Sequence, residues 1–410
     1  MPYRSIVESE IPVVAGIQAR AFRGEAARYE ESYGGGGRMD WRELRLFDDD
    51  AGRPVAALSL LSRRMSLNGG ELDAGLVASV AVPPEHRRRG YGRRMMQGLL
   101  EELHGQRTPV SLLFPFSTAW YRGLGYGVAN YNWHLDLPIR LMPDFAERLA
   151  VRRATAEDGP AIRVCYEAAR RIPDNNGWLA RGDWEWQKRL WEKQDLEWLL
   201  FEADGEVEGY LVYTLTWGQS EAFTEVKEWV WTSSRAWQGL AGALGSLGDQ
   251  ARTVVYNAAR HDPLLHALSE PYDWNRPPVA FVFFQAAKLV SGFMLRVVHL
   301  QEALSKRRYP AHVNADFWLE INDPQLAANC QPVYLAVREG NGNVAPASAI
   351  RNTQYAIRTN ISTFSELYAG LLSAQQARTM GRLEGDDAAC AALSAAFAAA
   401  PLHMWPADWF

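Results

Sequence analysis

The sequence predicts an α/β (α+β) protein in which one mixed-sheet module occurs twice and a different α+β domain follows. Residues 4–22 and 153–170 each combine a short strand, an acidic helix start, a proline and an amphipathic helix. Each segment is followed by two apolar strands separated by an acidic turn with a glycine, a pattern typical of β-hairpins. Because the copies are offset by roughly 150 residues, the pattern indicates an internal duplication.

Each copy continues with a third strand and a second helix. In the first copy the strand "LVASVAV" is followed by a helix in which Met96, Leu99, Leu100 and Leu103 fall at helical spacing, which predicts one buried face. In the second copy "EVKEWVWTSS" and "RAWQGLAGALGSLG" keep the strand and the helix but not the glycine and arginine spacing between them. We expect the second copy to have lost whatever the first loop binds.

The pattern changes after about residue 290. A strand leading into a helix, two further strands and an alanine-rich last helix are predicted over residues 295–309, 314–323, 332–340 and 386–400. The predicted domain boundaries are therefore residues 1–150, 151–290 and 291–410.

The chain ends in "PLHMWPADWF". Chain termini normally fray, but Trp405, Trp409 and Phe410 would be costly to leave in water. We therefore expect this end of the chain to be docked on the protein.

Composition excludes several classes of protein. A formal net charge of −5 argues against a dedicated nucleic-acid binder, which needs a basic face to release phosphate counterions. No run approaches the ~18 apolar residues of a membrane span, and the N-terminus lacks a signal-peptide pattern. Cys165, Cys330 and Cys390 have no metal or redox spacing, and neither do His261 and His266. We expect a cytoplasmic protein without membrane, nucleic-acid or metal partners.

The stretch "VPPEHRRRGYGRRMM" carries the clearest chemical signal, with five arginines among residues 87–94. Pro83 and Pro84 end the preceding strand because proline cannot donate to a sheet ladder. Gly90 and Gly92 let the backbone turn and approach a ligand closely. The helix start offers unpaired N–H groups, and arginines add charge-assisted bonds to phosphate oxygens. A phosphate or pyrophosphate cradle is favoured over the alternatives, a solvated basic helix start or a nucleic-acid patch.

The motif R-x-x-G-x-G after a V-A-V strand resembles the loop with which GNAT acetyltransferases hold the pyrophosphate of acetyl-CoA. Neither a Walker motif nor G-x-G-x-x-G is present at this loop. By this resemblance the backbone of Val80, Ala81 and Val82 holds the acetyl and pantetheine groups. The residues implied to hold the pyrophosphate are Arg87, Arg88, Arg89, Gly90, Tyr91, Gly92 and Arg93.

The pattern V-x-V-x-P-x-x-R-R-R-G, the 410-residue length and the duplication together resemble the enhanced intracellular survival (Eis) acetyltransferases. The resemblance implies an active GNAT domain over residues 1–150, a degenerate GNAT-like domain over 151–290 and a sterol-carrier-like α+β domain over 291–410. It also implies that Tyr121, in "FPFSTAWYRGLGYG", protonates the leaving thiolate of CoA. The C-terminal carboxylate of Phe410 is implied to be the general base.

Phe116 and Ser117 correspond to a second cofactor contact in that family. The usual pair there is serine and glutamate, from which this sequence departs.

The resemblance implies an acetyl-CoA-dependent N-acetyltransferase that works by direct transfer in a ternary complex, without a metal. Its acceptors would be primary amines on aminoglycosides, polyamines or lysines, and its assembly a homohexamer. The residue types agree with this chemistry, because a carboxylate can take a proton from the amine and a phenol can stabilise the leaving thiolate.

Other interpretations remain open at this point. The chain could be a non-enzymatic CoA- or lipid-binding oligomeric interaction protein, with an apolar pocket in its third domain. Tyr121 could be a core tyrosine, and Phe410 an ordered but inert plug. Solvated surface is the expected place of the acidic residues Glu25, Glu30, Glu31 and Asp408, with an acidic rim for polycationic amines as the alternative.

Overall fold

The protein is described by a computed structural model covering residues 2–34, 39–218, 221–270, 272, 276–346 and 355–410. Packing contacts divide the chain into two compact units. The first unit comprises residues 1–129, residues 292–399 and Phe410, and the second comprises residues 130–291 and 400–409. Strands and helices are numbered below in chain order.

The first unit contains a seven-stranded mixed sheet in the order β1-β2-β3-β4-β5-β14-β6. Its strands are Tyr3–Ser5 (β1), Leu44–Asp48 (β2), Pro54–Leu67 (β3), Gly70–Ala81 (β4), Val110–Leu113 (β5), Gly127–Val128 (β6) and Met294–Val297 (β14). The associated helices are Ile11–Phe22 (α1), Ala26–Tyr33 (α2), Tyr91–Gly105 (α3) and Thr118–Arg122 (α4). The predicted buried face of α3 is confirmed, because Met96, Leu99, Leu100 and Leu103 are at most 1% exposed.

The first unit also contains a five-stranded sheet in the order β17-β16-β15-β18-β19. Its strands are Ala315–Asn322 (β15), Val333–Arg338 (β16), Asn341–Pro346 (β17), Tyr355–Asn360 (β18) and Leu383–Glu384 (β19). Its helices are Leu300–Lys306 (α9), Ile361–Tyr368 (α10), Ala374–Thr379 (α11) and Asp387–Ala396 (α12).

The second unit is built on another seven-stranded sheet, in the order β13-β7-β12-β11-β10-β9-β8. Its strands are Tyr131–Pro138 (β7), Val151–Arg153 (β8), Glu197–Ala203 (β9), Glu206–Trp217 (β10), Ala222–Trp231 (β11), Thr253–Ala258 (β12) and Lys288–Ser291 (β13). Its helices are Gly159–Arg170 (α5), Asp183–Trp186 (α6), Ser234–Gly245 (α7) and Leu264–Ala267 (α8). Its core is rich in tryptophan, including Trp178, Trp186, Trp198, Trp229 and Trp237.

The duplicated pattern is present in both seven-stranded sheets. Helices α1 and α5 each carry a proline in their first turn, as the sequence suggested. The hairpins β2–β3 and β9–β10 pair in antiparallel fashion, and β4–β5 and β11–β12 pair in parallel. No helix within the described ranges is long and apolar enough to cross a membrane.

Two strands lie in sheets that the predicted boundaries do not assign to them. β7 falls within the predicted first domain but pairs with β12 in the second unit. β14, expected to open the third domain, pairs with β5 and β6 in the first unit. The apolar residues of β7 and β14 mark each as a strand. They do not indicate which other strand it pairs with, so the sheet could not be assigned from sequence. The three-domain division of the sequence stays a prediction, and the compact units run across it.

Two glycines in "YRGLGYG" are explained by close packing in the first unit. Gly125 has φ +88°, and a Cβ there would lie 2.8 Å from Nε of Arg296. A Cβ on Gly127 would lie 2.5 Å from both Cγ of Glu366 and the carbonyl oxygen of Ser362. Helix α10 therefore approaches β6 so closely that only glycine fits.

This contact predicts that Gly127→Ala destabilises the first unit by about 2 kcal/mol, because the added methyl group meets backbone that cannot move aside. Gly105→Ala is the matched control, since no atom lies within 4 Å of a Cβ at that position. Differential scanning calorimetry of the two variants should show a lowered Tm for Gly127→Ala alone. Equal Tm values would contradict this account of the glycine.

Candidate active site

An opening between β4 and β5 forms the centre of the candidate site. The two strands pair only from Ala74 opposite Val110 to Val77 opposite Leu113. Beyond Val77, β4 continues to Ala81 but is paired only with β3. One extra residue in β4 shifts its pairing register with β3 and produces a bulge. Ser79, in this bulge, has the left-handed φ of +51°. Backbone N–H and C=O groups around Val80 consequently face the opening without a strand partner.

The loop after β4 turns sharply into α3. Arg88 and Gly90 both have positive φ, +60° and +82°, and Gly90 is the residue that precedes the helix. The N–H of Arg94 makes the first intrahelical bond, to the carbonyl of Gly90 at 3.0 Å. No described side chain caps this helix start. The N–H groups of the first turn, including those of Tyr91 and Gly92, are thus free to bind an anion.

The arginines of the loop divide into two groups. Arg87 donates from Nε to the carbonyl of Val82 at 3.0 Å and from Nη2 to the carbonyl of Ala21 at 3.1 Å. Arg94 pairs with Asp50 at 3.1 Å. The exposed side chains with no bond to any described residue are those of Arg88, Arg89 and Arg93.

Arg87 therefore holds the shape of the loop. Its bond to Val82 occupies a carbonyl that the sequence comparison with the GNAT loop assigned to the cofactor. Three guanidinium groups and the helix start remain available to an anion.

Tyr121 lies on α4, which begins where Ser117 Oγ accepts the N–H of Trp120 at 3.4 Å. The tyrosine is 2% exposed, and its ring contacts those of Phe116 and Tyr126 at centroid distances of 5.3 and 5.9 Å. Its hydroxyl has no hydrogen-bond partner among the residues that the structure describes. Burial raises the pKa of Tyr121 well above its ordinary value, so the phenol is protonated at neutral pH.

Phe410, the last residue, packs its ring against Phe114 at a centroid distance of 5.3 Å. Phe114 follows directly after the end of β5 and also contacts Phe293, at 6.1 Å. The Phe410 carboxylate makes no ion pair with the residues in the described ranges. We expected the aromatic residues of the chain end to be docked. Trp405 is docked, with 3% of its surface exposed, whereas Trp409 is 49% exposed.

The two predicted catalytic residues lie beside the same short segment of chain. Phe410 contacts Phe114, and Tyr121 contacts Phe116, two positions further on. The structure describes no direct contact between Tyr121 and Phe410. Phe116 is 73% exposed and free to contact a ligand, while the side chain of Ser117 serves as the helix cap.

Sequence reasoning missed the residue that fixes α4. Glu366, almost fully buried, accepts bonds from Arg122 at 2.8 Å and from the N–H of Val128 at 3.3 Å. It also pairs with Arg382 at 2.8 Å. Arg122 and Glu366 are 244 positions apart, so no local pattern could have linked them.

The expectation for Asp408 was wrong. Its side chain is 1% exposed and pairs with Arg181 at 2.7 Å, because a buried guanidinium supplies the charge that a buried carboxylate requires. The other three carboxylates, Glu25, Glu30 and Glu31, are exposed as expected.

Three family models match the chain. Models described as acetyltransferase (GNAT) domains match residues 2–129 and 177–297, and a sterol carrier protein domain matches residues 300–405. A curated relative, an N-acetyltransferase of Streptomyces griseus described as uncharacterized, is 24% identical over 392 residues, covering 88% of each chain.

Similar solved structures share the whole architecture. A GCN5-related N-acetyltransferase from Anabaena variabilis has a TM-score of 0.84 at 22% identity, with 100% of this chain and 99% of that chain covered. Eis1 from Mycobacterium abscessus has a TM-score of 0.78 at 18% identity, with 100% of both chains covered. These matches confirm the predicted fold class of two GNAT modules and a sterol-carrier-like domain.

The pKa of Tyr121 predicts a pH dependence of stability. Because the folded-state pKa lies above the ordinary value of about 10, the stabilisation is fully present below pH 10 and is lost as pH rises toward the folded pKa. Between pH 10 and pH 11, urea unfolding should show wild type losing more stability than Tyr121→Phe, by up to about 1.4 kcal/mol per pH unit. Parallel profiles for the two proteins would contradict the buried, protonated phenol.

Proposed function

Two stretches of the chain match acetyltransferase (GNAT) domain models, and from that premise we propose that the chain is an Eis-like N-acetyltransferase that acetylates primary amines of polycationic acceptors by direct transfer in a ternary complex. GNAT domains use acetyl-CoA as co-substrate. The observation that carries the proposal is the opening between β4 and β5, bordered by a helix start and by three arginines that pair with none of the described residues.

The opening and the helix start beside it can bind two parts of acetyl-CoA, the pantetheine arm and the pyrophosphate. Free backbone groups around Val80 can bond the amides of the pantetheine arm as an added strand would. The pyrophosphate is assigned to the first turn of α3 together with Arg88, Arg89 and Arg93, which combine free N–H groups with positive charge. In this proposal Arg87 acts indirectly, by holding the loop to Val82 and Ala21.

The reaction joins an amine nitrogen to the acetyl carbonyl carbon and breaks the carbon–sulfur bond of the thioester. The amine must lose a proton, and the sulfur leaves as a thiolate that gains one. A base and an acid on opposite sides of the carbonyl therefore balance the reaction without a metal.

Tyr121 is assigned as the acid. A phenol, protonated at neutral pH, can donate a hydrogen bond to the sulfur as negative charge develops there, and its proton passes to the sulfur as the carbon–sulfur bond breaks. Its hydroxyl has no other partner in the part of the chain described, which leaves it available for this role.

The Phe410 carboxylate is assigned as the base. The aromatic contact with Phe114 anchors the last residue next to the end of β5, and no described residue forms an ion pair with the carboxylate. The exposed acidic residues of α2 and the loop before it, and the net charge of −5, support a cationic acceptor.

The non-enzymatic alternative is set aside because both modules match acetyltransferase models. A cavity of about 420 Å³ in the sterol-carrier-like part is lined by charged side chains such as Glu320 and Arg358 together with apolar ones such as Ile321 and Leu383. The cytoplasmic location and the homohexamer stay predictions.

Removing a loop arginine should weaken cofactor binding selectively. Arg89→Gln is expected to raise the KM for acetyl-CoA about tenfold while kcat changes little, because a charge-assisted bond to phosphate is lost and the reacting groups are untouched. Arg42→Gln is the matched control, an exposed arginine that pairs with Asp40. Steady-state kinetics in which both variants behave like wild type would contradict the loop assignment.

Lengthening the chain after Phe410 tests the base. Appending a Gly-Ser dipeptide moves the terminal carboxylate, and we expect kcat to fall about a hundredfold while calorimetry shows acetyl-CoA still bound. The same dipeptide at the N-terminus is the control and should leave turnover unchanged. Wild-type turnover in the C-terminally extended protein would exclude the terminal carboxylate as the base.

A further inference from the structure

The C-terminal segment of the second unit, residues 400–409 (the tail), is bonded along residues 176–181 of the same unit. The side-chain amide of Asn176 donates to the carbonyl of Ala400 at 2.9 Å. The N–H of His403 donates to the carbonyl of Asn176 at 2.8 Å. The rings of Trp405 and Trp178 meet at a centroid distance of 5.3 Å.

The tail passes so close to Gly177 that no side chain fits between them. Gly177 has φ +88°, and a Cβ there would lie 2.6 Å from the carbonyl oxygen of His403. Glycine is therefore required twice over, by its backbone conformation and by the approach of the tail.

Arg181 holds the far end of the tail. Its Nε and Nη2 donate to the carboxylate of Asp408 at 2.7 and 2.9 Å, and its Nη1 and Nη2 donate to Glu228 at 2.9 and 2.5 Å. All three side chains are at most 1% exposed. Tyr210 donates from its hydroxyl to Glu228, and the hydroxyl of Tyr166, which donates to the carbonyl of Leu179 at 2.8 Å, also lies 3.3 Å from Asp408.

The cluster lies where the second sheet has the same opening as the first. β11 and β12 pair in parallel only as far as Val226 opposite Tyr256, and Lys227 is the extra residue of a bulge in β11. Glu228 follows that bulge directly. The second module therefore presents a buried glutamate, bonded through Arg181 to the tail, at the position where the first module leaves its backbone free.

Charge explains why the tail is held firmly. One guanidinium bonds two carboxylates and balances one of their two negative charges, so Arg181 and Glu228 still form a buried pair when Asp408 is removed. Asp408, in contrast, has no other cation bonded to it in the described part of the chain. Arg189 adds a second anchor, donating to the carbonyls of Ala407 and Trp409 at 2.8 and 2.6 Å.

We infer that the second module serves as a receptor for the chain's own tail, and that Arg181 is a positioning residue which fixes Asp408 and thereby the Phe410 carboxylate two residues further on. The inference rests on the proposed role of Phe410. It assigns to the degenerate module a part in the reaction.

Asp408→Asn in the full chain is the direct test, since the Arg181–Glu228 pair keeps the module folded. Carboxypeptidase A should release Phe410 at least tenfold faster from this variant than from wild type. The kcat should fall about tenfold or more, because a small displacement of a catalytic group is costly, with the KM for acetyl-CoA within twofold of wild type. Asp408→Glu, which keeps the carboxylate, should recover part of both losses.

Two further variants separate tail release from general damage. Gly177→Ala pushes against the tail at His403 without changing any charge, and it should reproduce the faster release of Phe410. Asp387→Asn is the matched control, because its carboxylate is 96% exposed, and it should behave like wild type in both measurements.

The outcomes distinguish this inference from the proposed base. Unchanged Phe410 release in both Asp408→Asn and Gly177→Ala would overturn the receptor. Wild-type kcat in Asp408→Asn, while the C-terminally extended protein is inactive, would overturn the positioning role of Arg181. If Phe410 release rises but neither Asp408→Asn nor the C-terminal extension lowers turnover, the receptor stands and the terminal base fails.

Discussion

The candidate site depends on one buried arginine, Arg296, at the centre of the first unit. Its guanidinium is fully buried and donates to the carbonyl of Leu124 at 2.7 Å, to the carbonyl of Val297 at 2.8 Å and to both oxygens of Asp323. A buried charge is tolerated only when all its donors are satisfied, so the turn after Tyr121, strand β14 and the loop after β15 have to meet at this point. The turn that follows α4 is thereby fixed by a strand 172 positions further along the chain.

The two modules share one sheet geometry but differ in the side chains that border its opening. In each, a bulge follows the last paired residue of a parallel strand pair, and the next backbone groups face an opening. The first module leaves the opening bordered by a helix start without a cap and by unpaired arginines, as an anion requires. The second module caps its helix α7 with Ser233. It also places Glu228 beside Arg181, so the positive charge of Arg181 is already neutralised. A difference of a few side chains on one backbone pattern thus distinguishes the proposed cofactor site of the first module from the proposed tail receptor of the second.

The features that sequence alone could predict are local ones. The duplicated module, the hairpins and the buried face of α3 follow from periodicity and turn chemistry, which act over a few residues. The division of the loop arginines could not be predicted, because it depends on the carbonyls of Val82 and Ala21 rather than on spacing. The same holds for Asp408, whose partner Arg181 is 227 positions away, and for the sheet that β14 joins. In each case the deciding contact is formed by the folded chain and leaves no trace in the neighbouring residues.

A buried ion pair is weak evidence for stability, because desolvation offsets most of its attraction. The cluster around Arg181 is better understood through the register of the tail. Aromatic packing such as that of Trp405 is tolerant of sliding, since dispersion contacts change gradually with position. The contact between Arg181 and Asp408 is not tolerant of sliding, because a shift of one residue would leave the Asp408 carboxylate buried without its cation. The ion pair therefore determines which residue of the tail lies at Arg181, and through the intervening Trp409 it determines where the chain ends.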